Sequence, residues 1–267
     1  KFRMTILKIL SNFNKKNLVI LKNAYTFALE SKKNQSIMKN TLIMNEQLVY
    51  KLQCEAACLL KEKVLLLNGI TIIPKEIEIY YYEKGVFEDG SVHQNELQQN
   101  NKSHFYIHRW GTKKTDSYKG GNYPGIDLVV SGTENVYYTF LIRSALINGK
   151  PKPIIGPHKV LMEIMSTGSF NNFKEIENIP VVIQPSSVLG DVLFSDRINL
   201  GNNAGEFASL KFRAVVCDNY FRDSKYPQKE KLVTNFLLSS KMNKEDALAF
   251  SKKYLGYIPI KVKNNYD

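Results

Sequence analysis

The stretch Val64-Leu65-Leu66-Leu67-Asn68-Gly69-Ile70-Thr71-Ile72-Ile73, followed closely by Glu76-Ile77-Glu78-Ile79-Tyr80-Tyr81-Tyr82, decides the fold. Two apolar runs meet at Asn68-Gly69, the dipeptide that best tolerates the positive φ angles of a two-residue hairpin turn. The second stretch alternates, with acids on one face and isoleucines on the other, as a strand requires. Working outward, Phe105 to Trp110, Ile126 to Ser131 and Val136 to Arg143 read as further strands. Shorter ones are expected at Val181 to Ile183, Val192 to Phe194 and Leu210 to Val216. Asn45 caps a predicted helix that runs on to Leu60. Gly156-Pro157 opens another, because proline suits the first helical position. Asn243 caps a last helix, Lys244 to Tyr254, and Gly256 stops it. Short connections join antiparallel neighbours. The expectation is one α+β domain over residues 44–267, with a curved antiparallel β-sheet flanked by helices. Two polar stretches interrupt it: Glu83 to Ser103, read as a long loop, and a Gly- and Lys-rich insert, Thr112 to Pro124.

The 267 residues carry 37 Lys and Arg against 25 Asp and Glu, a net charge of +12, and are 43% hydrophobic. That apolar content can build a core and excludes a disordered chain. No apolar run approaches the roughly 20 residues that span a bilayer, so no membrane association is expected. Three cysteines cannot form a disulfide framework and fit a reducing, cytoplasmic setting. The basic surplus favours an acidic partner, nucleic acid above all; composition bias toward Lys and Asn is the competing reading. Residues 1–43 form a separate basic appendage, with Phe2, Ile6, Leu10 and then Leu18, Leu21, Phe27 on one face of two short helices. The opening Lys1 suggests a fragment or processed form.

Several residues carry chemical meaning by themselves. Arg143 sits in the apolar run Phe140-Leu141-Ile142, where a guanidinium needs a carboxylate partner, and Glu78 is a sensible one. Alternatively, Glu76 and Glu78 are only the solvent face of a half-exposed strand, and Arg143 makes an ordinary salt bridge. His104 and His108 are four residues apart on one strand, but no third ligand stands nearby and no metal site is expected. Cys54 and Cys58 lie one helical turn apart and read as small core residues. There is no phosphate-binding glycine loop and no serine nucleophile elbow.

Five segments, in order, resemble the alkyladenine (3-methyladenine) DNA glycosylase family. Ala57-Cys58-Leu59-Leu60-Lys61-Glu62-Lys63-Val64-Leu65 is similar to its helix-to-strand segment Ala-x-x-Leu-Leu-Gly-Lys-x-Leu, with two residues in place of the Gly. Glu76-Ile77-Glu78-Ile79-Tyr80 resembles its Glu-Thr-Glu-Ala-Tyr strand. Leu141-Ile142-Arg143-Ser144-Ala145-Leu146 is similar to Leu-Leu-Arg-Ala-Leu, and Gly156-Pro157-His158-Lys159-Val160-Leu161 to Gly-Pro-x-Lys-Leu. Phe212-Arg213-Ala214-Val215-Val216 with Tyr226-Pro227 echoes the family's closing strand. The resemblance spans residues 50 to 235.

The resemblance implies flipping of a damaged purine out of double-stranded DNA and hydrolysis of its N-glycosidic bond by a monomeric, monofunctional enzyme, with no cofactor. Glu78 matches the catalytic Glu that activates water, and Arg143 the Arg that holds that water. Arg143 would favour ionised Glu78, keeping the base competent to mildly acid pH. Tyr80 and His93 match walls of the base pocket, although His93 also reads as a plain loop histidine. Phe105 to Gly111 resembles Tyr-Val-Tyr-Ile-Ile-Tyr-Gly, which puts Trp110 at the DNA-intercalating position and Tyr106 or His108 against the base; a buried aromatic strand is the alternative. Asp127 stands where the family has an Asn that discriminates among purines, so the substrate range does not carry over. Lys113, Lys114 and Lys119 suit a flexible tip contacting the DNA backbone, or simply a solvated loop. A catalytically silent nucleic-acid-binding relative, and a protein of this architecture with no nucleic-acid role, stay open beside the glycosylase.

Overall fold

The computed structural model describes residues 45–240 and 242–266. The basic appendage, residues 1–43, lies outside them. The chain divides into two units, Lys1–Lys51 and Leu52–Asp267; the described part of the first, residues 45–51, is helical. Helix α1 covers residues 45–62. It is followed by β1 (Lys63–Leu67), β2 (Ile70–Glu83), β3 (Phe87–Glu88), α2 (Glu96–Asn100), β4 (Phe105–Ile107), β5 (Ile126–Val129) and β6 (Val136–Ile147). Then come β7 (Ile154–Ile155), α3 (Pro157–Thr167), α4 (Phe173–Glu177), β8 (Val182–Pro185), β9 (Asp191–Ser195), β10 (Arg213–Cys217), α5 (Lys229–Ser239), α6 (Lys244–Leu255) and α7 (Ile260–Tyr266). The architecture is α+β, a curled antiparallel half-barrel flanked by helices, as the turn-linked runs predict. Its main path is β4-β5-β6-β2-β1-β8, with β10 also paired to β2 and β9 to β10.

The hairpin turn is built as expected: Asn68 has φ 47 and Gly69 φ 81. The two runs after it are one strand. β2 continues through Pro74, and its pairing with β6 shifts register between Pro74 and Ile77. Proline cannot donate to the ladder, so the chain bulges there and the strand bends. The Glu83 to Ser103 stretch is shorter as loop than expected, because it contains β3 and α2. Asn95 caps α2, accepting from Leu97 N, while the Gln98 side chain accepts from the Asn95 backbone N–H. α6 has the expected Asn243 and Gly256 ends but is followed by α7. α5 carries no readable start signal: its N-cap is Gln228, in a left-handed conformation with no side-chain cap.

Alternation sorts the sheet into two faces. Ile77, Ile79 and Tyr81 of β2 belong to the apolar face with Tyr138, Phe140 and Ile142 of β6, all under 9% exposed. Tyr138 donates a hydrogen bond to Glu55 of α1, whose buried stripe is Leu52, Ala56, Leu59 and Leu60. Cys54 is exposed and Cys58 half-buried, its thiol donating to Glu62. The expectation that both cysteines pack in the core fails because the leucines take the inward positions of that helix. A second apolar cluster joins Leu193, Val215, Phe221, Leu232, Leu237, Tyr254 and Val262 of β9, β10, the turn after β10 and the C-terminal helices.

The opposite face is polar and buried. Register pairing runs Tyr106↔Asp127↔Leu141↔Glu78↔Arg213, one residue from each of β4, β5, β6, β2 and β10. Glu76, Glu78 and Tyr80, at spacing two, point to that face. Glu76 and Glu78 are 1% and 0% exposed, so a solvent-facing role for these acids is excluded. Glu76 Oε1 accepts from Arg213 Nε at 2.7 Å and from Arg143 Nε at 3.2 Å. Removing one partner of such a buried network costs about 3–5 kcal/mol, because the other charges stay desolvated. Glu76→Ala is therefore expected to lower unfolding stability by that amount in urea denaturation. Lys113→Ala, on the exposed insert, is expected to change it by no more than about 0.5 kcal/mol.

Candidate functional site

A cleft of about 670 Å³ opens over the polar face. Tyr80, His93, His108, Asp127, Arg143 and Trp110 line it, with Lys119 and Ile198. The sheet contributes Tyr80 from β2, Asp127 from β5 and Arg143 from β6, and the segments between strands bring His93, His108, Trp110, Lys119 and Ile198 beside them.

Glu78 lies beneath the floor. Its Oε1 accepts from Ile198 N at 2.7 Å and lies 3.4 Å from Arg143 Nη1; its Oε2 accepts from the Tyr80 hydroxyl at 3.0 Å. All three of these groups line the cleft. Burial raises the Glu78 carboxyl above the usual carboxylate range and outweighs the opposing pull of Arg143 and of the Ile198 N–H. The expectation that Arg143 would dominate and favour ionisation is corrected accordingly: the carboxylate is desolvated on every side, and one guanidinium shared with Glu76 does not offset that. Tyr80 is half-buried, with the Arg197 guanidinium 4.8 Å from its ring centroid. Arg197 itself pairs with Asp89 at 2.7 Å.

One wall is a chain of titratable groups. Burial pushes Asp127 up, but His108 beside it and the hydrogen bonds from His108 and Thr139 bring it below its ordinary value. Asp127 Oδ1 is 2.8 Å from His108 Nε2, and Oδ2 accepts from Thr139 at 2.8 Å. An ionised Asp127 fixes the His108 proton on Nε2. Gly125 makes room for this pair: a Cβ there would lie 2.8 Å from His108 Cε1 and 2.9 Å from Leu141 Cδ1. His93 sits 4.7 Å from the His108 ring in an edge-to-face contact. Its Nδ1 is 3.1 Å from the Tyr106 hydroxyl, which accepts from the Arg109 N–H, and its Nε2 is 2.8 Å from Lys119 Nζ. Burial first, then His108 and Lys119, push the imidazole down to about 3. Burial also lowers Lys119.

The mouth is aromatic. Trp110 is 68% and Tyr123 75% exposed. β4 ends at Ile107, so Trp110 lies past the strand, and the buried-aromatic alternative does not hold for it. Tyr106 and His108 both face the cleft wall, with Tyr106 fully buried behind His93. The insert that follows is pinned rather than a loose tip. Asn95 Nδ2 donates to the carbonyls of Gly111 and Lys113, each at 2.9 Å. Arg109 donates two hydrogen bonds to Glu177, which also accepts from Tyr118 at 2.7 Å. Lys113 and Lys114 are exposed on this insert, whereas Lys119 is half-buried and turned into the cleft.

Sequence reasoning missed Arg213, Arg197 and the Arg109–Glu177 pair. Arg213 gave the same signal as Arg143, a charge inside the apolar run Phe212 to Val216. Glu177 and Asp89 gave none, because each meets its arginine from a distant segment. His104 makes a contact with the Lys102 carbonyl, and among the described residues no group of three or more His, Cys, Asp or Glu side chains could hold a metal ion.

His93 makes a stability prediction. Unfolded histidine titrates at about 6.5, while His93 in the fold titrates at about 3. The unfolded chain therefore binds the extra proton, and the contribution present above pH 6.5 is lost as pH falls from there toward 3, by up to about 1.4 kcal/mol per unit. Denaturation of wild type and His93→Gln across this window is expected to show wild type losing stability relative to the variant as pH falls.

No family model and no curated protein matches this chain, so the functional reading rests on the geometry and on the motifs themselves.

Proposed function

We propose that the chain is a DNA glycosylase that hydrolyses the N-glycosidic bond of a flipped, alkylated or deaminated purine. The observation that carries this reading is the carboxylate of Glu78, held by Arg143, Tyr80 and the Ile198 N–H under a cleft walled by imidazole and phenol rings. A purine leaving its sugar creates an oxocarbenium-like centre, and the reaction needs a base for water and a negative charge nearby. Glu78 supplies both, since an ionised carboxylate has acceptor capacity beyond the bonds it already makes. Arg143 orients the attacking water. The rings of Tyr80, His93 and His108 replace the stacking that the base loses on leaving the duplex.

Trp110 serves as the wedge that fills the gap in the duplex, and Lys113 and Lys114 contact backbone phosphates. Asp127 acts through His108. While Asp127 is ionised and His108 neutral, Nδ1 presents a lone pair to the base; an Asn at position 127 accommodates either tautomer. Asp127→Asn is expected to change the order in which purine lesions are excised.

The complete burial of Glu78 favours a second reading, in which its ion pair is structural and the cleft only binds nucleic acid. Release of free base from duplex oligonucleotides carrying alkylated or deaminated purines separates the two. Glu78→Gln keeps the size but removes the base, and is expected to cut release by about a hundred- to ten-thousand-fold while DNA binding persists. Because the Glu78 carboxyl is raised, wild-type activity is expected to fall on acidification at a pH above about 4.3, the ordinary glutamate value. No release from any lesion, or an unimpaired Glu78→Gln enzyme, sinks the enzymatic reading.

DNA affinity is expected to fall steeply with salt, through counterion release. Lys113→Ala with Lys114→Ala should reduce the log–log salt slope by about 1 for each phosphate that is no longer neutralised. Salt titration of a fluorescent duplex measures it, and an unchanged slope removes these two lysines from the interface.

A further inference from the structure

The hydrolysis leaves one charged group of the cleft without a role. Lys119 is half-buried and lines the cleft, whereas Lys113 and Lys114 of the same insert are exposed. Its backbone N–H donates to the His108 carbonyl at 2.9 Å, which ties this part of the insert to the cleft wall. Among the described residues no carboxylate lies within ion-pair distance of Nζ, in contrast to Lys75, paired with Asp218 at 2.6 Å. Nζ is 2.8 Å from His93 Nε2 and 5.7 Å from the centroid of the Trp110 ring. An ammonium has three donors and no acceptor. His93 Nε2 is therefore the acceptor of this pair, and the imidazole proton sits on Nδ1, 3.1 Å from the Tyr106 hydroxyl. The burial that keeps His93 neutral is what lets it accept. His93 engages one Lys119 donor, and two are left for a ligand. Burial lowers Lys119 and the charge of Asp127 opposes that; acceptors on a ligand would replace the water that burial removes. Next to these donors stands an acceptor. His108 Nε2 faces Asp127 at 2.8 Å, so Nδ1 carries the lone pair, and Gly125 leaves it uncovered: a Cβ there would lie 3.1 Å from Nδ1.

We infer that Lys119 reads the N7–O6 edge of the flipped base, and that with His108 it fits the cleft to neutral 6-oxopurines, the products of purine deamination, and turns away N7-alkylated purines. The inference rests on the DNA reading for the purine itself. Along its edge a 6-oxopurine shows two acceptors, N7 and O6, and then the N1–H donor, the complement of two lysine donors beside one imidazole acceptor. Lysine donating to N7 and O6 is among the commonest specific contacts to a purine. Adenine sets an amino donor at position 6 against the ammonium, and its N1 is an acceptor that His108 Nδ1 cannot meet. An N7-alkylated purine has lost the N7 acceptor and brings a positive charge toward Lys119, where no nearby carboxylate screens the repulsion. Guanine has the same N7–O6 edge, and it is spared by its base pair, because a mispaired base costs less to flip than a paired one.

The probes are labelled duplexes carrying a single deoxyinosine, 7-deazadeoxyinosine or N7-methyldeoxyguanosine, with an undamaged duplex as reference. Fluorescence anisotropy measures their binding to the full chain carrying Glu78→Gln, so that affinity is read without turnover. The deoxyinosine duplex is expected to bind tightest, and loss or methylation of N7 should weaken binding by about five- to a hundredfold. Adding Lys119→Met, which keeps the length but donates nothing, should make deoxyinosine and 7-deazadeoxyinosine bind alike; Lys119→Arg should keep a preference. A lysine that only supports the fold would weaken both duplexes equally and leave their ratio unchanged. The same ratios are expected in the base-release rates of the chain with Glu78 intact. The inference is overturned if the missing N7 costs nothing, if it costs Lys119→Met as much as the parent, or if the N7-methylated duplex binds as well as the deoxyinosine one. A protein that holds deoxyinosine through Lys119 but releases no base loses only the glycosylase, and one that releases bases without regard to N7 loses only this inference.

Discussion

Everything at the polar face depends on one electrostatic constraint: two carboxylates, two residues apart on a strand, both held out of water. A single buried carboxylate is costly, and two side by side repel as well. The fold meets this with Arg143 from β6 and Arg213 from β10, one on each side of β2, so that Glu76 bridges both guanidiniums. The three strands are thereby tied through side chains as well as through the backbone ladder. Glu78 receives what is left, a share of Arg143, one backbone N–H and one phenol, and its carboxyl stays raised as a result. Glu76 carries the structural load, and burial leaves the Glu78 carboxyl raised.

The wall opposite follows a different logic. There burial holds two basic groups, His93 and Lys119, below their ordinary values, with His108 and Lys119 adding to the effect on His93. His93 is squeezed between His108 and Lys119, while Asp127 is spent on His108 and Thr139. The cleft thus has a floor that holds an acid back from ionising and a wall that holds an imidazole neutral.

Much of the sheet was legible because strand alternation and the Asn68-Gly69 turn are local signals. The face of Glu76, Glu78 and Tyr80 could be read off spacing two, and Arg143 from the conflict between a charge and its apolar neighbours. What could not be read was whether that face met water, since alternation separates faces without saying which is covered. The burial of Glu76 and Glu78 comes from β10 and from the segment containing Ile198, well over 100 residues further on. The inward turn of Lys119 was illegible for the same reason: in a stretch of lysines and glycines, a single lysine is set apart only by the His93 it happens to meet. α5 escaped sequence reasoning because its start has no side-chain cap, and the bulge of β2 because a proline such as Pro74 reads as a strand break.

The row Tyr106–Asp127–Leu141–Glu78–Arg213 has a consequence for how the molecule comes into being. Its members are adjacent only through non-local pairing, and the last, Arg213, closes onto a strand some 135 positions earlier in the chain. Loop closure over such separations is slow relative to local hairpins such as β1 and β2. Until β10 docks, Glu76 lacks one of its guanidiniums, and a slip of one residue in any of the five strands turns its row member to the wrong face. Assembly of the cleft therefore requires all of these non-local pairings together, and no local segment of the chain holds the row by itself.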